Sequence, residues 1–331
     1  MNNLQRRRFL QFAIGVAVMP LLAQTAPAET YPSRPITLVV SSGAGGPSDV
    51  MARVLSEPMR ASLGQPIVID NVAGANGTLA MGRVARSKPD GYTLAFSVSF
   101  STHVVNGAIY ALGYDVVADF APVALATDAP QLLLARKTMP ANDLSGLIAW
   151  LKANPDKASL GQIGPGSPAH VAGILFQKLT GTRFQFATYR SAGQAMQDMI
   201  AGHIDLMLVA PNIAVEHVRA GTIKAYAVTA KTRLAAAPDI PTVDEAGLPG
   251  FYTAPWHAYW APRDTPPGVI AKVNAAIVAA LADPAVRTRF ADLGLRIVPR
   301  EQQTPEALSE LQRIEIEKWW PIIKAAGIKV E

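Results

Sequence analysis

The order of apolar and polar positions along the chain predicts strands that alternate with helices. Continuous runs rich in β-branched residues, such as Ile36–Val40, are typical of strands buried on both faces of a sheet. Segments with apolar residues at helical spacing lie between these runs. The alternation predicts an α/β fold with mainly parallel sheets flanked by helices, because parallel strands need a crossover between them.

The individual elements follow from where the apolar runs begin and end. Strands are predicted at residues 36–40, 66–70, 92–97, within 123–136, and at 158–162, 184–189, 206–209, 225–230 and 257–261. Helices are predicted from Val50 onward and at 79–87, 144–153, 170–179 and 192–201. Ser48 is expected to cap the first helix, and Pro58 is expected to end or kink it.

The alternation starts again after Pro122, which predicts two lobes rather than one large sheet. The expected first lobe comprises residues 29–124 and 230–331, and the second comprises residues 125–229. Three helices close the chain, and the last two begin at an Asp-Pro and a Thr-Pro pair, where proline suits a first turn. With this tail packed back on the first lobe, the chain would cross between the lobes twice.

Residues 1–28 have the organisation of an export signal. Residues 2–8 are basic, residues 9–22 are apolar, and small residues at 26–28 form a cleavage site. We expect removal of this leader near Ala28 and a periplasmic location for the mature protein. Residues 6–10, Arg-Arg-Arg-Phe-Leu, fit the twin-arginine export pattern, and the general secretion route is the alternative.

Charge and composition exclude several classes of function. Without the three leader arginines the formal net charge falls from +5 to +2, with 27 basic against 25 acidic residues. No basic segment is interleaved with aromatic residues, so nucleic-acid binding is not expected. The chain has no cysteine, which excludes disulfides and thiolate chemistry. Its five histidines lack metal-binding spacing, and we expect neither a metal nor a cofactor.

An enzyme is the main alternative class, but the catalytic signatures are missing or broken. A serine hydrolase would carry a Gly-x-Ser-x-Gly elbow, which the sequence lacks. Residues 164–169 formally fit a dinucleotide-binding fingerprint with alanine in the last place. Two prolines interrupt that segment, and no acidic residue follows about 20 positions on, so we do not expect an enzyme.

Eight short segments, in order along the chain, carry a resemblance to a known family. They are Tyr-Pro-Ser-Arg-Pro-Ile at 31–36, Ala-Gly-Gly-Pro-Ser-Asp at 44–49, Lys-Pro-Asp-Gly-Tyr-Thr-Leu at 88–94, Asp-Phe-Ala-Pro-Val at 119–123, Gly-Ser-Pro-Ala-His at 166–170, Ala-Gly-His-Ile-Asp at 201–205, Asp-Ile-Pro-Thr-Val-Asp-Glu-Ala-Gly-Leu-Pro-Gly at 239–250 and Lys-Ala-Ala-Gly-Ile at 324–328. Over essentially the whole mature chain, the sequence resembles the substrate-binding proteins of tripartite tricarboxylate transporters, also called the Bug family. One such segment is a weak signal, but eight in register are specific.

The resemblance implies a two-lobed periplasmic-binding-protein (flytrap) fold that closes on one ligand. It further implies that loops from both lobes hold a carboxylate, largely through backbone amides and ordered water. The matching positions are Ser41, Ser42, Gly43, Ala44, Gly45, Gly46, Ser48 and Asp49 in lobe one, and Gly164, Gly166, Ser167 and His170 in lobe two. Each loop leads from a predicted strand into a predicted helix, where free N–H groups favour an anion. The alternative for the glycines is that they only build tight turns.

Two further pairs of residues are candidate ligand contacts. Ser97 and Ser99 follow the third predicted strand, where they either line the cleft or cap a loop. Tyr189 and Arg190 match the family's Tyr-Lys-Gly position after a strand of lobe two. Arg190 then faces either the ligand or only solvent.

A departure from the family pattern indicates the kind of ligand. Where many relatives carry Phe-Asp-Ser in lobe two, this chain has Leu-Val-Ala, with Val209 in place of the acid and Ala210 in place of the hydroxyl. The acid can meet a ligand's amino group, and valine cannot. We therefore expect Val209 and Ala210 to face a mono- or dicarboxylate that lacks an α-amino group.

The resemblance also implies the partners of the protein. We expect a monomer that delivers a small organic carboxylate to the integral-membrane subunits of a transporter. The alternative is a co-receptor that presents its ligand-bound state to a membrane sensor kinase. A neighbouring sensor gene without transporter genes would favour this alternative.

Overall fold

The strands of the described chain form two separate sheets. The structure is a computed structural model that describes residues 31–330. Its strands are β1 (Ile36–Val40), β2 (Ile67–Asn71), β3 (Thr93–Val98), β4 (Phe120–Asp128), β5 (Leu132–Arg136), β6 (Ser159–Gln162), β7 (Gln185–Thr188), β8 (Leu206–Val209), β9 (Ile223–Val228), β10 (Trp256–Pro262) and β11 (Arg296–Ile297). Its α-helices are α1 (Pro47–Leu63), α2 (Thr78–Ala85), α3 (Asn106–Ile109), α4 (Leu144–Ala153), α5 (Pro168–Thr180), α6 (Ala192–Ala201), α7 (Pro211–Arg219), α8 (Pro267–Ala282), α9 (Pro284–Asp292) and α10 (Pro305–Ala325). Short helical turns lie at Ala75–Gly77, Ser101–Val105 and Arg300–Gln302.

The two sheets are built on the same plan. The first sheet has the strand order β11-β4-β10-β3-β1-β2, and the second has the order β7-β6-β8-β5-β9. β1 is parallel to β2 and β3, and β6 is parallel to β7 and β8. In the first sheet β10 runs opposite to its neighbours β3 and β4, and the edge strand β11 is also antiparallel to β4; in the second sheet β5 runs opposite to its neighbours β8 and β9. β10 and β5 are each the first strand that the chain forms after it crosses from the other sheet. The predicted α/β class with two sheets is confirmed.

The chain crosses between the two sheets at residues 129–131 and again between β9 and β10. β4 stays paired with β10 as far as Asp128, and β5 begins in the second sheet at Leu132. The apolar run at 123–136 is therefore two strands in different sheets, and the boundary predicted after Ala124 falls inside β4. Periodicity does not reveal this break, because both strands are apolar and only three residues separate them.

Helix α1 begins earlier and ends later than its sequence suggests. Gly46 is its N-cap and Pro47 lies in its first turn, so Ser48 does not cap the helix as predicted. The helix continues through Pro58 and ends at Gly64, which has a φ of 74°. The buried apolar stripe of α1 packs against the first sheet and α8. This packing offsets the hydrogen bond that a proline removes from a helix.

Two helical segments are absent from the sequence prediction. Helix α7 has Ala210 as its N-cap and therefore lacks the polar start signal that marks most helices. Residues 101–109 are rich in β-branched and polar side chains with low helix propensity. Tertiary contacts hold this segment, since Gln312 Nε2 of α10 donates to the carbonyl oxygens of His103 at 3.0 Å and Val116 at 2.8 Å.

The C-terminal helices pack on the first sheet. On α8, Asn274 Nδ2 donates to the carbonyl oxygens of Val123 in β4 at 2.8 Å and of Gln303 at 2.7 Å. Asp283 and Thr304 accept hydrogen bonds from first-turn amides of α9 and α10, at the helix starts predicted from their Pro pairs. Within residues 31–330 no single helix is long and apolar enough to cross a bilayer, and α8 with α9 meets those criteria only as a pair bent by 68°.

Candidate functional site

A cavity of about 420 Å³ lies where four strands end and the helices that follow them begin. These helices are α1 from the first sheet and α5, α6 and α7 from the second. The lining residues at the helix starts are Gly45, Pro47, Pro168, Ala169, Ala192, Ala210 and Asn212. A helix N-terminus carries partial positive charge and free N–H groups. Four such termini around one cavity favour an anionic ligand.

The side chains that line the cavity are almost entirely apolar. Among the described residues, the polar side chains in the lining are those of Gln131, Gln162, Asn212 and His257. No Asp, Glu, Lys or Arg within residues 31–330 is part of the lining. An anion bound here would therefore meet its partners on the main chain, while its body would contact apolar side chains.

The first glycine-rich loop, residues 41–46, is held by Asp49. The carboxylate of Asp49 accepts hydrogen bonds from Gly45 N at 2.8 Å, Asn71 Nδ2 at 2.9 Å and Arg53 Nε at 3.0 Å. The hydrogen bond from Arg53, together with those from Gly45 and Asn71, lowers the pKa of Asp49 to about 2. Asp49 is buried and does not line the cavity. Asp49 therefore fixes the loop, and because the Gly45 amide already donates to Asp49, it is not available to a ligand.

Other donors at the start of α1 have no acceptor within residues 31–330. No side chain caps the helix, and the amides of Ser48 and Asp49 follow the imino nitrogen of Pro47 in its first turn. Ser42 Oγ is buried and has no hydrogen-bond partner in the described chain. Gly46 N, in contrast, donates to the carbonyl oxygen of Gly43 at 3.0 Å. The amides of Gly45 and Gly46 are therefore already used, whereas Ser42 Oγ and the first amides of α1 are not. Ser42, Ser48 and Asp49 lie behind the residues that line the cavity.

The second predicted loop, residues 164–170, uses its donors internally. Gly164 N donates to Gln162 Oε1, Gly166 N to His170 Nδ1 at 3.1 Å and Ser167 N to the carbonyl oxygen of Gly164 at 3.1 Å. Ser167 Oγ donates to Gln162 Oε1 at 3.2 Å and accepts from His170 N at 3.4 Å, which caps α5. Burial lowers the pKa of His170, which favours its neutral form. In this arrangement the donors of Gly164, Gly166 and Ser167 have partners within the loop, and ligand binding by these residues stays a prediction.

Four other predicted contacts lie away from the cavity. Ser97 Oγ is 2.8 Å from Thr102 Oγ1 and 3.1 Å from Ser99 Oγ, and Ser99 Oγ also accepts from the indole of Trp260. Both serines are fully buried inside this network. Tyr189 donates to Asp198 at 2.9 Å, and Arg190 is exposed. The structure therefore does not bring Ser97, Ser99, Tyr189 or Arg190 to the cavity lining.

Val209 and Ala210 lie in the cavity wall. Val209 is the last residue of β8, pairs with Leu132 of β5 and is 6% exposed. Ala210 is the N-cap of α7 and contributes no side-chain hydrogen bond to it. The two positions where relatives carry an acid and a hydroxyl therefore present apolar surface, and the start of α7 is uncapped.

Gln131 is a cavity residue that the sequence analysis missed. Its backbone N–H donates to Thr229 Oγ1 at 2.9 Å, and its Nε2 donates to the carbonyl oxygen of Leu208 at 3.1 Å. Its Oε1 accepts from Thr253 Oγ1 at 3.0 Å. Gln131 thus joins the two crossings between the sheets at the edge of the cavity. A glutamine after an Ala-Pro pair carries no motif that would have identified it.

His257 is the second cavity residue that was missed. It lies on β10, is 6% exposed, and stacks on Phe96 with a centroid distance of 5.8 Å. Its Nδ1 is 3.3 Å from Thr127 Oγ1, whereas its buried Nε2 has no partner within residues 31–330. Burial lowers the pKa of His257 to about 4, so the ring is neutral at neutral pH.

The two sheets approach closely beside the cavity. Gly166, in the loop before α5, lies against Ile109 and Val105 on the side of the first sheet. Its φ of 75° favours glycine, and a β-carbon there would require the end of the Ile109 side chain to shift. Asn76 Nδ2 lies at the same contact and donates to Asn106 Oδ1 at 2.8 Å. A glycine at 166 therefore suits both the backbone conformation and this close approach.

Comparisons with known proteins agree with this geometry. Residues 51–328 match the family model described as "Tripartite tricarboxylate transporter family receptor". The periplasmic binding protein BugD is 36% identical, with a TM-score of 0.76 over 91% of this chain and 100% of that one. MatC of Rhodopseudomonas palustris, solved with malate, is 39% identical, with a TM-score of 0.77 over 88% of this chain and 100% of that one. Rpa4515 of R. palustris, solved with adipate, is 30% identical, with a TM-score of 0.78 over 91% of this chain and 100% of that one.

Proposed function

The chain belongs to the tripartite tricarboxylate transporter receptor family of periplasmic solute-binding proteins, and we propose that it captures a small organic carboxylate for such a transporter. Two similar proteins were solved with malate and with adipate, both of which are dicarboxylates. The proposal extends that chemistry to the cavity between the two sheets of this chain. It assigns the protein a binding role without catalysis.

The observation that carries the proposal is the convergence of four helix N-termini on a cavity whose described lining has no charged side chain. An anion there is stabilised by the positive ends of the helix dipoles, and no arginine cluster is needed. Hydrogen bonds to a charged group contribute about 1.5–3 kcal/mol each. A micromolar complex requires only about 8 kcal/mol in total, so four or five such bonds suffice after ordering costs.

The lining further supports a ligand without an α-amino group. A bound ammonium group would lose its water on closure and would need a buried carboxylate as a partner. Val209 stands where the family resemblance implies that acid, and no acidic side chain in the described chain lines the cavity. The proposed ligand is therefore a mono- or dicarboxylate whose body fits against Met51, Val98 and Leu208.

A ligand screen on the mature protein tests this proposal. Thermal shift and calorimetry would compare aliphatic and aromatic carboxylates, malate and adipate with aspartate and glutamate. A ligand at 100 times its dissociation constant should stabilise the protein by about 2.7 kcal/mol. Tight binding of aspartate or glutamate, with no simple carboxylate competing, would overturn the proposed ligand class.

The transporter partner can be tested separately in cells. Deletion of the gene should abolish uptake of the bound carboxylate and leave the response of its catabolic genes to internal carboxylate unchanged. Unchanged uptake, together with loss of a transcriptional response to external carboxylate, would instead indicate a co-receptor for a sensor kinase.

A further inference from the structure

The imidazole of His257 is the one histidine ring of residues 31–330 that lines the cavity. The ring is held on one side by Phe96 and at Nδ1 by Thr127. Its Nε2 is buried and has no hydrogen-bond partner in the described chain. Buried polar atoms in folded proteins are almost always hydrogen-bonded. His257 lines the cavity, so a ligand in it can supply such a partner.

The neighbours of His257 allow either of its ring nitrogens to carry the proton. Thr127 Oγ1 has one proton and two acceptors in reach, His257 Nδ1 at 3.3 Å and Met51 Sδ at 3.8 Å. A thioether sulfur is a weak acceptor, and an unprotonated imidazole nitrogen is a better one. Without a ligand, Nδ1 can donate to Thr127 Oγ1 while Thr127 donates to Met51 Sδ. A carboxylate oxygen only accepts, so with such a ligand bound Thr127 donates to Nδ1 and the proton of the neutral ring is on Nε2. Nε2 is then a donor.

Within the part of the chain that the structure describes, no charged group competes for this donor. Phe96 of β3 stacks on the ring, Thr127 of β4 lies at Nδ1 and Val98 of β3 is the strand partner of His257, and none of these residues titrates. No acidic or basic side chain of the described chain lines the cavity. His257 is thus a neutral N–H donor in a wall that is otherwise largely apolar.

We propose that His257 determines ligand specificity in this cavity by donating a hydrogen bond from Nε2 to an oxygen of the bound carboxylate ligand. The inference rests on the proposed function, since it names a side-chain contact within the same site. It assigns to the ligand an acceptor oxygen that meets β10 of the first sheet. Main-chain amides then bind the charged group of the ligand, and His257 determines the position of the oxygen that accepts from Nε2.

Calorimetry with malate and adipate, on variants of the mature protein, tests the proposal. His257→Phe keeps a planar ring for the stack on Phe96 and removes the donor, so it should weaken the binding of the better of the two ligands by about 10-fold. His257→Gln retains an N–H donor and should bind more tightly than His257→Phe. The matched control is His103→Phe, because His103 is also buried, has no partner for its Nε2 within residues 31–330 and does not line the cavity. The control should bind with wild-type affinity.

The outcomes separate this inference from the proposed function. Wild-type affinity in His257→Phe, or an equal loss in His103→Phe, would overturn the role of His257 and leave carboxylate binding intact. Failure of the wild-type protein to bind any carboxylate would overturn both proposals. If the variants do not fold, ¹⁵N-histidine NMR of the wild-type protein decides. Ligand should shift the His257 Nε2–H signal downfield and slow its exchange, and an unchanged signal at saturation would overturn the contact.

Discussion

Gly294 lies so close to Asn212 that a β-carbon at Gly294 would come within 3.1 Å of the Asn212 backbone nitrogen. Gly294 follows α9 on the side of the first sheet, and Asn212 lies in the first turn of α7 beside the second sheet. Leu293 and Leu295, which flank the glycine, line the cavity together with Asn212. The contact between the two sides of the cavity therefore depends on a residue without a side chain.

Gly294→Ala should weaken ligand binding, because its methyl group would meet backbone rather than a flexible side chain. Gly181→Ala is the control, since Gly181 has the same φ of 66° and a β-carbon there would have no neighbour within 4 Å. Both variants should lose about 1 kcal/mol in free energy of unfolding, from left-handed backbone strain. In calorimetry, only Gly294→Ala should lower malate or adipate affinity, by at least about 10-fold. Equal affinities in the two variants would show that closure does not need this contact.

Val209→Asp should weaken carboxylate binding at pH 7.5 through repulsion between two anions in one cavity. With no cation in the described lining, the loss should exceed about 1.4 kcal/mol, or 10-fold in affinity. Val209→Thr keeps the β-branched shape and adds no charge, so it should bind more tightly than Val209→Asp. Titration calorimetry of the three proteins with adipate makes the comparison. Equal binding by the Asp and Thr variants would place the ligand away from β8.

Asp49→Asn should destabilise the protein in a pH-dependent way. The folded pKa of Asp49 is lowered from 3.8 to about 2, so its ionised form is favoured in the native state. Its contribution to stability is therefore present above pH 4 and is lost as the pH falls towards 2. Urea unfolding at pH 7 should show a loss of about 2 kcal/mol, since hydrogen bonds to a charged group are broken. The difference in free energy of unfolding between wild type and Asp49→Asn should be smaller at pH 3 than at pH 7. A difference of constant size would argue against a stabilising role of the ionised carboxylate.

Replacement of the leader arginines tests the export route. Residues 1–30 lie outside the described part of the chain, and the leader is therefore still a prediction. Arg6→Lys together with Arg7→Lys should leave the precursor in the cytoplasm, because the twin-arginine receptor reads both side chains. Cell fractionation shows where the protein accumulates, and sequencing of the exported wild-type protein should begin near Glu29. Normal export in cells that lack the twin-arginine machinery would identify the general route.

The sheets could be predicted because buried parallel strands appear in the sequence as continuous apolar runs. Ile36–Val40 is the clearest case, and every residue of β1 except Thr37 is fully buried. The start of α7 could not be predicted in the same way, since Ala210 and Pro211 lack a polar cap. Its first turn is nevertheless part of the cavity wall.

The details of the site depend on which donors the protein already uses, and a sequence does not record this. In the sequence, Gly45 and Gly166 look alike as loop glycines with a free amide. In the structure, the amide of Gly45 donates to Asp49 and the amide of Gly166 donates to His170. His257 and Gln131 carry no motif, because the contacts that position them come from residues 130 and 122 positions away. Chemistry assembled over such distances becomes visible only once the chain is folded.

The uncharged lining of the cavity has an evolutionary consequence. The N–H groups at the start of α1 belong to the main chain, so exchange of a side chain does not remove them. Met51, Val98 and Leu208, in contrast, line the cavity with apolar side chains, so they would meet the body of the proposed ligand through shape alone. After gene duplication, a copy of this protein can therefore acquire a new carboxylate through a few apolar substitutions and keep its affinity for the anion at every step. Paralogues that bind different carboxylates should therefore differ mainly at the positions of Met51, Val98 and Leu208.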